Sequence, residues 1–329
     1  MTETQTLLSV GIDVGTTTTQ VVFSRLGITN AARTGLIPRM AITDKEVLYQ
    51  SPIVLTPLLD QDLVDAEKLV EIVRREYRAA GIEPAQVGTG AVIITGETAR
   101  KKNADAILHS LSGLAGDFIV SVAGPQQESL ISGRGSGAAQ YSREHYQMVT
   151  NLDIGGGSAN CAVFKGGNLI GGATMNFGGR ILTIDHTSGR VLHIAQAARY
   201  ILQDCQLNLQ TGDTPALADL RRFTDRMAEV TLELIEGGTS VLARQLYLTP
   251  PSQGAGAGSS LMFSGGVGHY YYHPVEIRTL TDVTVHDDVG PLLAESLRDN
   301  AALSAYRVIT PAETLRATVL GASTQTVSL

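Results

Sequence analysis

The sequence predicts an α/β protein built from two similar halves. Three observations predict it. Apolar strand-like runs alternate with amphipathic helical stretches along the 329 residues. Residues 11–22 (GIDVGTTTTQVV) align without gaps on residues 151–162 (NLDIGGGSANCA). The 35 glycines sit mostly in short turns directly after apolar runs, not in low-complexity tracts.

Taken in order, residues 7–13 read as a buried strand, Gly15-Thr16-Thr17-Thr18 as a turn, and residues 19–24 as the returning strand. Residues 40–55 alternate apolar and polar around Asp44-Lys45, which predicts a hairpin. A helix over 65–80 places Leu69, Val73, Tyr77 and Ala80 on one stripe and stops at Gly81. A strand at 90–95, a helix over 97–114, a strand at 118–123 and a helix of small residues over 125–140 follow. The second half opens with strands at 149–154, 160–164 and 169–175. Lys165-Gly166-Gly167-Asn168 between the last two is hairpin chemistry, because glycine permits positive φ. Helices over 192–202 and 215–235 come next, then a Pro/Gly/Ser-rich connection at 249–260. A short strand at 261–263 precedes Gly265-Gly266-Val267-Gly268, and helices over 289–297 and 310–321 close the chain. The expected domains are 1–140 and 141–329, with the last helix, about 310–322, returning to the first.

Composition narrows the function. Hydrophobic residues make up 43% and charged residues 17%, a globular balance. The formal charge of −7, with no basic run, argues against nucleic-acid or anionic-membrane binding. No apolar run approaches the ~20 residues of a membrane helix. The start lacks a basic secretory n-region, and two cysteines make no disulfide framework or zinc spacing. A soluble protein of a reducing compartment is expected.

The repeat carries the chemistry. Asp13 aligns with Asp153, Gly15 with Gly155, Thr18 with Ser158 and Gln20 with Asn160. A turn free of bulky side chains lets backbone N–H groups approach an anion, and Thr and Ser hydroxyls add donors. An aspartate beside a phosphate is repelled unless a divalent cation lies between them. Two such carboxylates therefore point to Mg²⁺, whose shell accepts carboxylates, water and phosphate oxygens. Either turn alone reads first as an ordinary glycine hairpin; the aligned pair argues for a polyphosphate clamped from both sides. No Walker P-loop or dinucleotide fingerprint is present.

On these residues the sequence resembles the actin/Hsp70/sugar-kinase ATPase superfamily. Asp13–Thr18 is similar to its first phosphate loop, Asp153–Ser158 to its second, and Phe263–Gly268 to its adenosine loop. Residues 127–140 and 315–322 are similar to its two crossing helices, with Gly133, Gly135, Gly137 and Ala138 facing Ala317, Gly321 and Ala322. Within the superfamily, residues 7–26, 93–104, 116–137, 152–164, 263–268 and 316–322 resemble the ethanolamine ammonia-lyase reactivating factors. Members of that family run on past the position matching Ala322, whereas this sequence ends at Leu329.

The resemblance implies an actin-like (ribonuclease H-like) fold around a nucleotide cleft, with ATP or ADP and Mg²⁺ as ligands. It implies a slow ATPase coupled to conformational change, which frees damaged cobalamin from ethanolamine ammonia-lyase. Cobalamin is then handled on that partner, in the bacterial cytoplasm and its ethanolamine-utilisation microcompartment. Asp13 and Asp153 would stand near Mg²⁺ through water. Gly15, Thr16, Thr17 and Thr18, with Gly155, Gly156, Gly157 and Ser158, would hold phosphates. Gly265, Gly266 and Gly268 would admit adenosine or phosphate. Glu128 would position the attacking water, or would simply complement its helix dipole. Glu97 reads more plainly as a helix-opening residue. Arg221, Arg222 and Arg226 read as a solvated face, and His269, Tyr270, Tyr271, Tyr272 and His273 as loop and surface. Competing readings are a small-molecule kinase, a phosphatase of the exopolyphosphatase kind, and an actin-like assembly protein.

Overall fold

A computed structural model describes residues 5–15, 18–30, 40–60, 63–94, 103–112, 114, 118–122, 124–251 and 260–323. Contacts divide the chain into two compact units, Met1–Gly124 with Thr318–Leu329, and Pro125–Ala317.

In the first unit β1 (Gln5–Val14) and β2 (Thr18–Asn30) form a long antiparallel hairpin. The expected turn at Asp44-Lys45 does not form. β3 (Met40–Gln50) runs through it, with Asp44 opposite Gly27 and Lys45 opposite Leu26, because β2 is long enough to pair it on both sides, across register shifts at Phe23/Ser24 and Gly27/Ile28. β4 (Val54–Leu55) also pairs β2, and β5 (Leu58–Asp60) pairs β6 (Leu63–Val64). α1 (Ala66–Ala80) starts at Asp65, which accepts from the Lys68 N–H, and stops at Gly81 with φ +67°. β7 (Thr89–Ile94), α2 (Ala104–Ser112) and β8 (Phe118–Val122) complete a sheet of order β3-β2-β1-β7-β8. One core joins Ile12, Val14 and Phe23 of the sheet to Leu69, Val73, Ile107 and Leu111 of the helices.

The second unit begins with α3 (Pro125–Gly135) and α4 (Ala138–Glu144). The single helix expected over 125–140 is thus broken, and the break falls at Gly137, whose φ is +91°. β9 (Met148–Ile154), β10 (Ala159–Lys165) and β11 (Asn168–Met175) follow as an antiparallel meander. β12 (Leu182–Ile184) pairs β13 (Val191–Ile194), so the helix expected from 192 starts late, as α5 (Gln196–Asp204). Val191 and Ile194 turn inward on that ladder, which overrides their fit to a helical stripe. Then come α6 (Leu217–Glu236), α7 (Val241–Leu246), β14 (Tyr247–Thr249), β15 (Ser260–Ser264), α8 (Gly265–Tyr272), α9 (Leu280–Val283), α10 (Gly290–Asp299) and β16 (Arg307–Val308). The sheet order is β14-β11-β10-β9-β15-β16. Beyond the added edge strand β14, it repeats the first sheet: three antiparallel strands, then two parallel to the central one.

α11 is only Ala317–Ala322, shorter than expected. The backbone before it is used elsewhere: the Ala312 N–H bonds the Ser136 carbonyl, and the Thr314 carbonyl accepts from Gly265. From Thr318 on it belongs to the first unit, where Val319 and Leu320 pack on Val22. Of the residues read as loop and surface, His269, Tyr270, Tyr271 and Tyr272 belong to α8, and His273 is exposed just after it. Tyr271 stacks on Phe263 at 4.3 Å, and the Tyr272 hydroxyl accepts from Phe263 N and donates to the Ile309 carbonyl. The arginines of α6 are not merely solvated: Arg221 pairs Glu295, and Arg226 pairs Asp204.

Candidate functional site

Each unit holds one of the two aspartate-led hairpins. In the first, Asp13 stands opposite Gln20 and Val14 opposite Thr19. Gly15 N donates to the Thr18 carbonyl at 2.9 Å. The Gly15 carbonyl accepts from Thr56 Oγ1 at 2.8 Å, and Thr56 Oγ1 lies 3.1 Å from Thr19 Oγ1, so Thr56 fixes the turn from behind. Thr16 and Thr17, the expected phosphate donors at its tip, lie outside the described residues, as does Glu97.

In the second, Asp153 stands opposite Asn160 and Ile154 opposite Ala159, the same register displaced by 140 residues. Gly155 N donates to the Ser158 carbonyl at 3.1 Å, as Gly15 does to Thr18. Asn160 braces this hairpin: its amide reaches Ser158 Oγ at 3.5 Å and accepts from Thr174 at 3.0 Å. A Cβ on Gly155 would meet nothing within 4 Å, and its φ lies outside the left-handed region. Neither packing nor backbone therefore demands glycine at 155. A ligand approaching the backbone closely would demand it.

A strap at 178–180 supports this second turn. Gly179 N donates to the Gly155 carbonyl at 2.9 Å and Arg180 N to that of Gly156 at 2.7 Å. The approach is so close that a Cβ on Gly178 would stand 2.4 Å from the Gly155 oxygen. Behind the strap, Val289 N bonds the Gly179 carbonyl at the start of α10, and Arg180 reaches the His286 carbonyl. Arg180 also lies 4.0 Å from Asp288, whose carboxyl burial holds above the usual carboxylate range.

Asp153 is 6% exposed. Burial pushes its carboxyl up to about 6, against the pull of a 2.5 Å hydrogen bond donated by Ser264 Oγ. Ser264 ends β15 beside Asp153 and opens directly into α8. The three glycines singled out there differ. Gly265 has φ +80° and lies against Ile154, and Gly268 lies against Phe263, so the fold itself demands both. Gly266 faces open space. Glu128 is in the first turn of α3 and 7% exposed, where its charge complements the helix N-terminus.

Among the described residues no three His, Cys, Asp or Glu side chains come together as a metal cage. A cation at either turn would take its one carboxylate plus waters and ligand oxygens, which suits Mg²⁺. Asn151, Ser264 and the 178–180 strap were not legible as site residues. The signal for the first was a polar Asn151 alternating with Asp153 in an apolar strand. Among the described residues, no helix is long and apolar enough to cross a membrane.

Residues 5–329 match the family model described as ethanolamine utilisation protein EutA. The chain is 42% identical over 326 residues to the ethanolamine ammonia-lyase reactivase EutA of Escherichia coli (strain K12), covering 99% of this chain and 68% of that protein. To the protein of the same description from Salmonella typhimurium (strain LT2) it is 40% identical, with the same coverage. Among solved structures, a PPX-GPPA enzyme of Aquifex aeolicus is similar with a TM-score of 0.53 at 13% identity, covering 96% of this chain and 99% of that one. That likeness concerns the fold, which is the α/β, actin-like class the sequence predicts.

Proposed function

Because the chain belongs to the EutA family of ethanolamine utilisation proteins, we propose that it is an ATP-dependent reactivating factor for an adenosylcobalamin-dependent ethanolamine ammonia-lyase. It frees damaged cobalamin from the lyase so that intact coenzyme can bind. The observation that carries this reading is the identity of 40–42% over 326 residues to two named reactivases. The kinase, phosphatase and assembly readings have no comparable support. The setting is the bacterial cytoplasm, with the ethanolamine-utilisation microcompartment.

Each unit contributes one turn suited to nucleotide phosphates. Gly15, Thr16, Thr17 and Thr18, with Gly155, Gly156, Gly157 and Ser158, hold its phosphates by backbone N–H and hydroxyl groups. The open space in front of Gly155 supports this. Gly265, Gly266 and Gly268 shape the adenosine side, with Gly266 the position open to contact. Asp13 and Asp153 orient the water shell of Mg²⁺, which when bound neutralises phosphate oxygens. Glu128 orients the attacking water. Nucleotide affinity that differs between two conformations would supply the work of prising the lyase open.

The test adds the chain, Mg-ATP and fresh adenosylcobalamin to lyase inactivated with cyanocobalamin, and measures ammonia release. Recovery is expected with the parent, and none with Asp13→Ala or Asp153→Ala variants that remain folded by circular dichroism. No recovery with the parent would sink the function. Variants that bind and turn over Mg-ATP like the parent would sink the site.

A further inference from the structure

Asp153 is held by a polar pair that the repeat does not supply at Asp13. Ser264 Oγ donates to Asp153 Oδ1 at 2.5 Å, and Asn151 Nδ2 donates to Ser264 Oγ at 3.2 Å. Asn151 and Asp153 share a face because they lie two residues apart on β9. β15 runs parallel beside them with Ser264 opposite Asp153. Asn151 and Ser264 are both 0% exposed.

The direction of the chain matters. A hydroxyl has one proton, and with the amide of Asn151 donating into the Ser264 oxygen, that proton goes to Asp153. One lone pair of Oδ1 is thereby taken by the protein, and Oδ2 is the oxygen that keeps both for a cation or its water. The arrangement is not cheap packing. Asn151 Oδ1 is buried with no hydrogen-bond partner among the described residues, a cost that an apolar side chain in the same strand would not incur. The aligned position beside Asp13 is Gly11, and the residue opposite Asp13 on the parallel neighbour β7 is Ile93. Neither has a polar side chain. Gly11 has its own reason, since a Cβ there would stand 2.7 Å from the Val319 carbonyl oxygen. The two halves therefore share the turn and not the pair.

We infer that Ser264, oriented by Asn151, is a positioning residue that sets one Asp153 oxygen toward the bound cation and ties that carboxylate to the Gly265-Gly266 start of α8 that it precedes. The inference rests on the proposed reading of Asp153 as a cation carboxylate in a nucleotide site.

The test uses the full chain and Mn²⁺ as the probe, titrated into ADP-saturated protein and followed by electron paramagnetic resonance. ADP affinity is measured separately by calorimetry in EDTA. Ser264→Ala is expected to weaken Mn²⁺ binding about 10- to 100-fold. Ser264→Thr should recover most of it, and metal-free ADP affinity should stay the same in all three proteins. Should Ser264→Ala fail to fold, Ser264→Cys, similar in size and a weaker donor, carries the same expectation. Unchanged Mn²⁺ binding in the variant overturns the inference and leaves the nucleotide site standing. A matching fall in metal-free ADP affinity also overturns it, because Ser264 would then only shape the start of α8. A parent that binds neither ADP nor Mn²⁺ overturns the site reading and this inference together.

Discussion

Asp153 shows how burial of a single carboxyl costs stability. Its carboxyl is raised to about 6 by burial, while an unfolded aspartate titrates near 3.9. Between those values the folded state keeps a proton that the unfolded state has lost. Its favourable contribution is therefore complete below about pH 4 and lost as pH rises through 6. The gap corresponds to about 3 kcal/mol at pH 8. Asp153→Asn keeps an acceptor for Ser264 and removes the buried charge. In nucleotide-free urea denaturation it should exceed the parent by up to that amount at pH 8 and match it near pH 4. An equal difference at both pH values would show that desolvation of this carboxyl is not what costs stability.

At the scale of elements, the glycines of α3 explain how it lies on its sheet. The sequence suggests that small residues there face the small residues of the last helix. Gly133 lies over β10: a Cβ would stand 2.3 Å from Phe164 Cε2 and 2.6 Å from Cζ, and Phe164 is fully buried. Alanine would gain about 1 kcal/mol of helix propensity and lose more to overpacking, which costs about 1–3 kcal/mol. Gly133→Ala should lower the denaturation midpoint, and Phe164→Leu in the same chain should relieve part of the loss. Strict additivity of the two substitutions would refute the contact as the cause.

For the whole molecule, the first unit is completed by the far end of the chain. Ser9 Oγ donates to the Ser323 carbonyl across 314 residues, and Lys45 Nζ donates to that of Leu320. Val22 is covered by Val319 and Leu320. Such long-range closure slows folding, since the loop entropy is lost before the contact forms. Removing residues 318–329 should speed hydrogen exchange in β1 and β2 while leaving β9 and β10 protected. Uniform loss of protection would mean the two units do not open separately.

What the sequence determined by itself was local. Alternation of apolar residues, turn glycines and a gapless match between two segments made both aspartate-led hairpins legible, because a strand–turn–strand writes its pattern within a dozen residues. Gly81 likewise marked the end of α1 from its own chemistry. Tertiary structure decided what depends on neighbours far along the chain. Ser264 meets Asp153 across 111 residues, Phe164 lies against Gly133, and β2 pairs β3 at both Asp44 and Lys45. Propensity is set by a residue and its nearest neighbours, whereas those contacts are set by which strands lie side by side, and no local period encodes that.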